Sequence, residues 1–165
     1  MSKLIAPHGS TELNPLYVAD PGANAKLAAE AKALPSIVVS SAAAANAVML
    51  AGGYFNPLKG YMGKAECLRV ATDMKTASGL FWPVPIMNLV ADAGAIKPGS
   101  RIALKDPNVD GNPVLAVMDV EAVETLTDAE LSTIIEKVFR TTDPKHPGVA
   151  ALLAQGKTLL SGPIQ

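Results

Sequence analysis

The pattern of apolar and polar positions predicts short helices and short strands that alternate along the chain. Residues 23–33 are rich in strong helix formers, and this helix should end before Pro35, which forces the preceding residue out of the helical region. A second helix is expected to begin at Ser40 or Ser41 and to end near Ala51, because Gly52 and Gly53 suit a helix terminus. A third helix is predicted over residues 64–72. The residues predicted to share its packed face are Ala65, Leu68 and Ala71.

Two further helices are predicted from their first residues. Thr127 and Glu130 have the spacing of a capping box, and the helix that they begin should run to about Phe139. A shorter helix is expected to follow Pro147 and to end near Ala154. The positions of the longer helix predicted to face inward are Leu131, Ile134, Ile135, Val138 and Phe139.

Runs of β-branched and apolar residues bounded by turn residues predict the strands. Residues 36–40 (SIVVS) are expected to form a buried strand, and residues 158–164 to form a closing strand. Residues 82–90, 101–105 and 113–125 should form three more, the last two joined as a hairpin by DPNVDGNP. Short strands with peripheral helices predict an α+β fold, with a small, mainly antiparallel β-barrel as the expected arrangement.

Composition and charge limit the functions that this fold could serve. The 165 residues fit one domain, and 49% apolar with 18% charged residues is the balance of a globular protein. The net charge is -1, and the 14 basic residues are scattered without a run, whereas a protein that binds nucleic acid usually has a basic stripe. Seven dispersed aromatic residues are too few for a platform on which bases could stack. We therefore expect no nucleic-acid partner.

The sequence also argues against export and against a membrane location. The first twenty residues contain no apolar run of signal-peptide length, and the longest apolar stretch, residues 42–51, is far shorter than the roughly 20 residues of a membrane span. Cys67 is the only cysteine, which excludes an intrachain disulfide and a site of four thiolates. These features predict a cytoplasmic protein.

The usual motifs of catalysis are absent. The sequence has no phosphate-binding P-loop, no G-x-G-x-x-G, no H-E-x-x-H and no G-x-S-x-G. Asp143 and His146 could form an acid–base dyad or hold a metal. The favoured interpretation is that Asp143 caps a turn while the imidazole bonds to a backbone carbonyl. Cys67 lacks neighbouring bases and is expected to be a buried, unreactive thiol. No catalytic, cofactor-binding or metal-binding residue is predicted.

The most distinctive segment is the loop over residues 53–62, GYFNPLKGYM. Its glycines and proline favour tight turns, and Phe55, Leu58 and Met62 could plug one end of a barrel. Only Asn56 and Lys59 offer polar groups to a ligand. The loop is therefore predicted to be structural.

Four motifs in order resemble those of ATP sulfurylases (sulfate adenylyltransferases). The loop over 53–62 is similar to the family's G-x-F-x-P-L-x-G-F-M, with Asn56 in place of serine and Tyr61 in place of phenylalanine. Residues 79–86 resemble G-x-x-W/F-P-[IV]-P-[IL], and the segments LKD and PVLA, within residues 104–116, resemble the next hairpin. Residues 138–149 resemble V-[FY]-G-T-x-D-x-x-H-P-G-V, except that Arg140 replaces the common glycine. That residue must either use ordinary dihedral angles or accept strain.

The resemblance implies a PUA-like amino-terminal domain spanning residues 1–165. In the family, catalysis resides in a following nucleotidyltransferase domain, which joins sulfate to the α-phosphate of MgATP and releases pyrophosphate. The Q-x-R-N-P-x-H-x-x-H and G-R-D motifs of that domain do not occur in this sequence. The resemblance therefore implies an inactive scaffold or assembly module that needs no cofactor of its own, with the catalytic domain and a homo-oligomer as its partners. An RNA-binding PUA-type module is the alternative.

Overall fold

The computed structural model describes residues 5–165 and contains five helices and seven strands within them. Helices and strands alternate for most of the chain, so the mixed α+β prediction is confirmed. The helices are α1 (Pro21–Ala31), α2 (Ser41–Ala51), α3 (Lys64–Asp73), α4 (Asp128–Phe139) and α5 (Pro147–Leu153). The strands are β1 (Ser36–Val38), β2 (Gly60–Tyr61), β3 (Leu89–Val90), β4 (Arg101–Lys105), β5 (Val114–Asp119), β6 (Ala122–Thr125) and β7 (Thr158–Pro163).

Helix ends follow the capping residues closely. The Ser40 side chain accepts a hydrogen bond from the Ala43 N–H at 3.1 Å, and α2 ends at Ala51 as predicted. In α4 both halves of the capping box between Thr127 and Glu130 are formed. The first helix starts two residues earlier than predicted, because Asp20 caps it and Pro21 occupies its first position.

The packed face of α3 differs from the prediction. Its buried residues are Cys67, Val70 and Ala71, whereas Ala65 is exposed and Leu68 is half-buried. The predicted burial of Ala71 and Cys67 is therefore confirmed, Leu68 packs partly on the core, and the prediction is wrong for Ala65. Val70, which was not predicted, completes the packed face at helical spacing from Cys67.

The first sheet has the order β1-β4-β5. The β4–β5 pair is the predicted antiparallel hairpin, while β1 lies parallel to β4. Ser36 and Val38 are exposed, so the prediction that this segment forms a buried strand is wrong. The strand lies at the edge of the sheet, where one long side has no neighbouring strand among the described residues.

The second sheet is organised around β7, which pairs antiparallel with β2, β3 and β6. Only Leu89 and Val90 of the predicted strand 82–90 form a strand, because Pro83 and Pro85 cannot donate to a ladder. The predicted strand 113–125 is two strands, β5 and β6, separated by a corner at Val120. These strands belong to different sheets.

The two sheets meet at the end of the chain and enclose one main core. Val117 of β5 exchanges both backbone hydrogen bonds with Gln165, each 2.8 Å long. Both sheets remain open, so the closed barrel of the prediction is not confirmed. Helices α2 to α5 contribute to the core between and around the sheets. Fully buried side chains at its centre include Leu50, Leu104, Met118, Ile134 and Leu160.

Candidate functional site

The loop over residues 53–62 uses its polar side chains for structure. Asn56 is buried, its amide nitrogen donates to the His8 carbonyl at 3.1 Å and to Ser10 Oγ at 2.8 Å, and its amide oxygen accepts from the Asn14 N–H at 3.1 Å. Lys59 is exposed. The two groups do not converge on a common site, because Asn56 instead fastens the segment before α1 to the body of the protein.

The apolar residues of the same loop pack on the core. Met62 is buried, and Phe55 and Leu58 are half-buried against the core cluster. They pack on the core between open sheets, so the expected plug at the end of a closed barrel is not confirmed. Tyr61 points inward, where its hydroxyl donates to the Ala43 carbonyl at 2.7 Å. Burial raises the pKa of Tyr61 well above its usual value. The tyrosine therefore stays neutral and links the loop to the first turn of α2.

Asp143 stabilises the turn before α5, and His146 caps that helix. The Asp143 carboxylate accepts from the Lys145 N–H at 2.9 Å, and His146 Nδ1 accepts from the Val149 N–H at 3.4 Å. The carboxylate and the imidazole each bond to a different backbone amide, so the dyad is not formed. The capping interpretation is supported, but the predicted partner of His146 is wrong: the ring accepts from an amide N–H instead of donating to a carbonyl. At the first turn of a helix, free N–H groups are what needs a partner.

Cys67 is fully buried, as the sequence predicts. Its thiol donates to the Met62 carbonyl at 3.5 Å. Burial raises the pKa of Cys67 to about 12, with smaller contributions from the charges of Glu124 and Glu66. A thiol with so high a pKa is a poor nucleophile at neutral pH. Within residues 5–165 there is no group of three or more His, Cys, Asp or Glu that could hold a metal ion.

Arg140 takes the strained option of the two that the sequence left open. It is the C-cap residue of α4, with φ 58° and ψ 18° in the left-handed region. Its N–H still donates to the Glu136 carbonyl, at 2.9 Å, so the helix end has the geometry that glycine normally provides. The motif therefore keeps its shape despite the replacement.

A groove of about 810 Å³ lies on the surface of the protein, and we call it the apolar groove. Its lining comes from the proline-rich segment 81–87, one side of α5, the first half of α2 and the loop residues Tyr54 and Phe55. His8, Gln155 and Phe139, the last residue of α4, complete it. Prolines 83 and 85 keep the segment 81–87 irregular, and it lines the groove instead of extending a sheet. The lining residues are His8, Ala42, Asn46, Tyr54, Phe55, Phe81, Trp82, Pro83, Val84, Pro85, Ile86, Met87, Phe139, Gly148, Ala151, Leu152 and Gln155.

The imidazole and amide side chains of the groove already make hydrogen bonds within the protein. His8 Nε2 lies 2.8 Å from the Phe81 carbonyl oxygen, Asn46 donates to the Met87 carbonyl at 3.5 Å, and the Gln155 amide oxygen accepts from Ser40 Oγ at 2.9 Å. No lysine, arginine, aspartate or glutamate lines this groove. A triphosphate or a sulfate ion would find no cation to balance its charge there, so MgATP does not fit it.

Residues of two sequence motifs line the groove, although neither motif alone predicts it. The motif at 79–86 supplies one wall, while Phe139 and Gly148 come from the motif at 138–149. Their proximity depends on how α4 and α5 pack together, which no single segment encodes. No helix within residues 5–165 is long and apolar enough to cross a membrane.

Comparison with known proteins identifies the relatives of the chain. The sequence profile of the PUA-like domain family matches residues 5–165. The chain is 61% identical over 165 residues to the sulfate adenylyltransferase of Alcanivorax borkumensis, an alignment that covers 100% of this chain and 41% of that protein. It is 54% identical over 162 residues to the sulfate adenylyltransferase of Allochromatium vinosum, covering 98% of this chain and again 41% of the relative.

A solved structure described as a hexameric APS kinase from Thiobacillus denitrificans has a similar fold. The TM-score is 0.67 at 28% identity, and the match covers 98% of this chain and 26% of that one. The chain spans about two fifths of the length of the curated sulfate adenylyltransferases named above. It belongs to the PUA-like domain family and corresponds to the amino-terminal portion of sulfate adenylyltransferases.

Proposed function

We propose that the chain acts as a non-catalytic scaffold within a sulfate adenylyltransferase, supporting the portion of the polypeptide that binds MgATP and sulfate. The observation that carries this proposal is the chemistry of the apolar groove, whose lining contains no charged carboxylate, ammonium or guanidinium group. The remaining candidates, Asp143, His146 and Cys67, are used for capping or are buried.

The parent reaction explains why those groups matter. Sulfate attacks the α-phosphate of ATP, adenosine 5′-phosphosulfate forms, and pyrophosphate leaves. Negative charge is concentrated around the transferring phosphorus, and enzymes stabilise it with fixed cations and hydrogen-bond donors. Such groups should therefore be supplied by the part of the relatives that this chain does not cover.

An RNA-binding role is not favoured. Acidic residues outnumber basic ones, 15 to 14. Three of the basic side chains are held in ion pairs: Arg101 with Asp119 at 2.7 Å, Lys64 with Glu130 at 3.4 Å, and Lys157 with Asp128. A protein that neutralises several phosphates needs free cations clustered on one face.

We also propose that the parent protein is a cytoplasmic homo-oligomer. The Thiobacillus denitrificans relative is described as hexameric, which supports a homo-oligomeric parent. A single buried thiol suits the reducing cytoplasm. MgATP would bind to the parent protein outside this chain.

A coupled assay of pyrophosphate release tests the proposal. The isolated chain is compared with the same chain joined to the part of the Alcanivorax sulfate adenylyltransferase that it does not match, in the presence of sulfate and MgATP. The intact Alcanivorax protein is the positive control, and omission of sulfate gives the background. We expect turnover by the joined protein alone. Turnover by the isolated chain, or an inactive joined protein beside an active control, would reject the scaffold role.

A further inference from the structure

The apolar groove leaves large hydrophobic side chains in contact with solvent. Tyr54 is 76% exposed, Phe81 is 55% exposed and Val84 is 45% exposed. All three line the same concave surface, beside Pro83 and Leu152. Contiguous apolar surface of this kind is uncommon on a soluble monomer and usually marks a place where another molecule binds.

The lining of the groove selects for an apolar partner. It contains no lysine, arginine, aspartate or glutamate, and its imidazole and two amide side chains already make hydrogen bonds within the protein. A phosphorylated ligand or an acidic peptide would lose its hydration without gaining a counter-charge. Apolar side chains of a folded polypeptide, in contrast, would gain free energy by covering the exposed aromatic rings.

We propose that the apolar groove is the surface on which the rest of the sulfate adenylyltransferase polypeptide packs. This inference rests on the proposed function. The alignment covers 41% of the Alcanivorax relative, so 59% of that polypeptide (100% minus 41%) lies outside the match and is available to cover the groove. A segment in the same polypeptide acts at a high effective concentration, which a second copy in dilute solution does not have.

The floor of the groove is preorganised for this contact. Trp82 is buried and lies edge-on to Phe55, with 6.0 Å between the ring centroids. The His8 ring is tilted against Trp82, also with 6.0 Å between the ring centroids. Pro83 and Pro85 restrict the backbone that follows. Because these residues are already fixed, little conformational entropy is lost when a partner binds.

Cysteine labelling tests the proposal directly. Val84→Cys places a thiol in the groove, and Val109→Cys places one in the turn between β4 and β5, outside the groove, at a similarly exposed position: 45% for Val84 and 48% for Val109. The native thiol of Cys67 is fully buried, so it reacts only when the domain unfolds. Each variant is treated with a maleimide in the isolated chain and in the joined protein described above.

We expect both introduced thiols to react at similar rates in the isolated chain. In the joined protein the thiol of Val84→Cys should react at least about tenfold more slowly, because the groove must open before it can be labelled. The thiol of Val109→Cys serves as the reference for the general reactivity of the joined protein. Equal labelling of Val84→Cys in both proteins would overturn the proposal. Protection that grows with the concentration of the isolated chain would also overturn it, since a second copy would then be the occupant.

The readouts separate this proposal from the scaffold role. A joined protein that releases pyrophosphate while its groove thiol labels freely would reject the groove and keep the scaffold role. Slow labelling of the Val84→Cys thiol in a joined protein that releases no pyrophosphate would reject the scaffold role and keep the groove as the packing surface. If reaction of Cys67 shows that the joined protein is unfolded, the same pair of cysteines is placed at the aligned positions of the intact Alcanivorax enzyme, where the same two outcomes decide the question.

Discussion

Replacing Arg140 with glycine should stabilise the protein. Arg140 holds the left-handed conformation that ends α4, at φ 58°, and its side chain is exposed, so its removal uncovers no buried group. A residue with a Cβ in this conformation is strained by about 1–2 kcal/mol, whereas glycine adopts it freely. Glycine loses about 0.5–1 kcal/mol more conformational entropy on folding, so Arg140→Gly should raise the free energy of unfolding by about 0.5–1 kcal/mol.

Urea unfolding measures this change. Trp82 is the only tryptophan and is buried, so its fluorescence reports the folded state. For a chain of this size the expected gain corresponds to an increase in Tm of about 1–4 °C. Lys137→Gly is the matched control, because Lys137 lies in the last turn of the same helix and glycine there should destabilise the protein by about 1 kcal/mol.

The two variants should change the free energy of unfolding in opposite directions. If Arg140→Gly were as destabilised as Lys137→Gly, the strain assigned to the helix end would not exist. Unchanged stability for Arg140→Gly would also refute the reasoning, because the loss of strain would then be no larger than the loss of entropy.

Three further outcomes are expected. Gly60→Ala should lose at least about 2 kcal/mol of stability or fail to fold, since its Cβ would lie 2.0 Å from the Gly162 carbonyl oxygen across the β2–β7 pair; a wild-type urea midpoint would exclude this clash. Tyr61→Phe should lower the free energy of unfolding by about 1 kcal/mol by removing the hydrogen bond to Ala43, and an unchanged urea midpoint would show that this bond contributes nothing. Because burial raises the pKa of Cys67 from 9.0 to about 12, the stability that the neutral thiol contributes is complete below pH 9 and is lost as the pH rises toward 12; the difference in stability between wild type and Cys67→Ala should follow that course, and a constant difference would be the opposite result.

The parts of the fold that the sequence predicted well are those set by local chemistry. The Ser40 cap and the Thr127 capping box fix where α2 and α4 begin, and the β4–β5 hairpin is fixed by its turn. The segment 82–88 was predicted as strand from its apolar residues, but its prolines cannot take part in a ladder. The exposed edge position of β1 depends on which strand pairs with it, and short-range pattern does not contain that information.

The groove could be predicted only in fragments. Its walls come from segments far apart in the sequence, such as Tyr54, Phe81 and Phe139, and their apolar character is equally typical of a buried core. What distinguishes Tyr54 and Phe81 is that the fold leaves them exposed. The expectation of no catalytic residue rests on missing sequence motifs alone and stays a prediction, which the assay of pyrophosphate release tests.

We propose that the groups that bind the triphosphate of MgATP lie outside this chain. Isothermal titration of MgATP into the isolated chain tests it most directly, with the joined protein titrated under the same conditions. We expect saturable binding, in the micromolar to millimolar range usual for enzyme substrates, by the joined protein alone. Saturable binding of MgATP to the isolated chain with comparable affinity would contradict it.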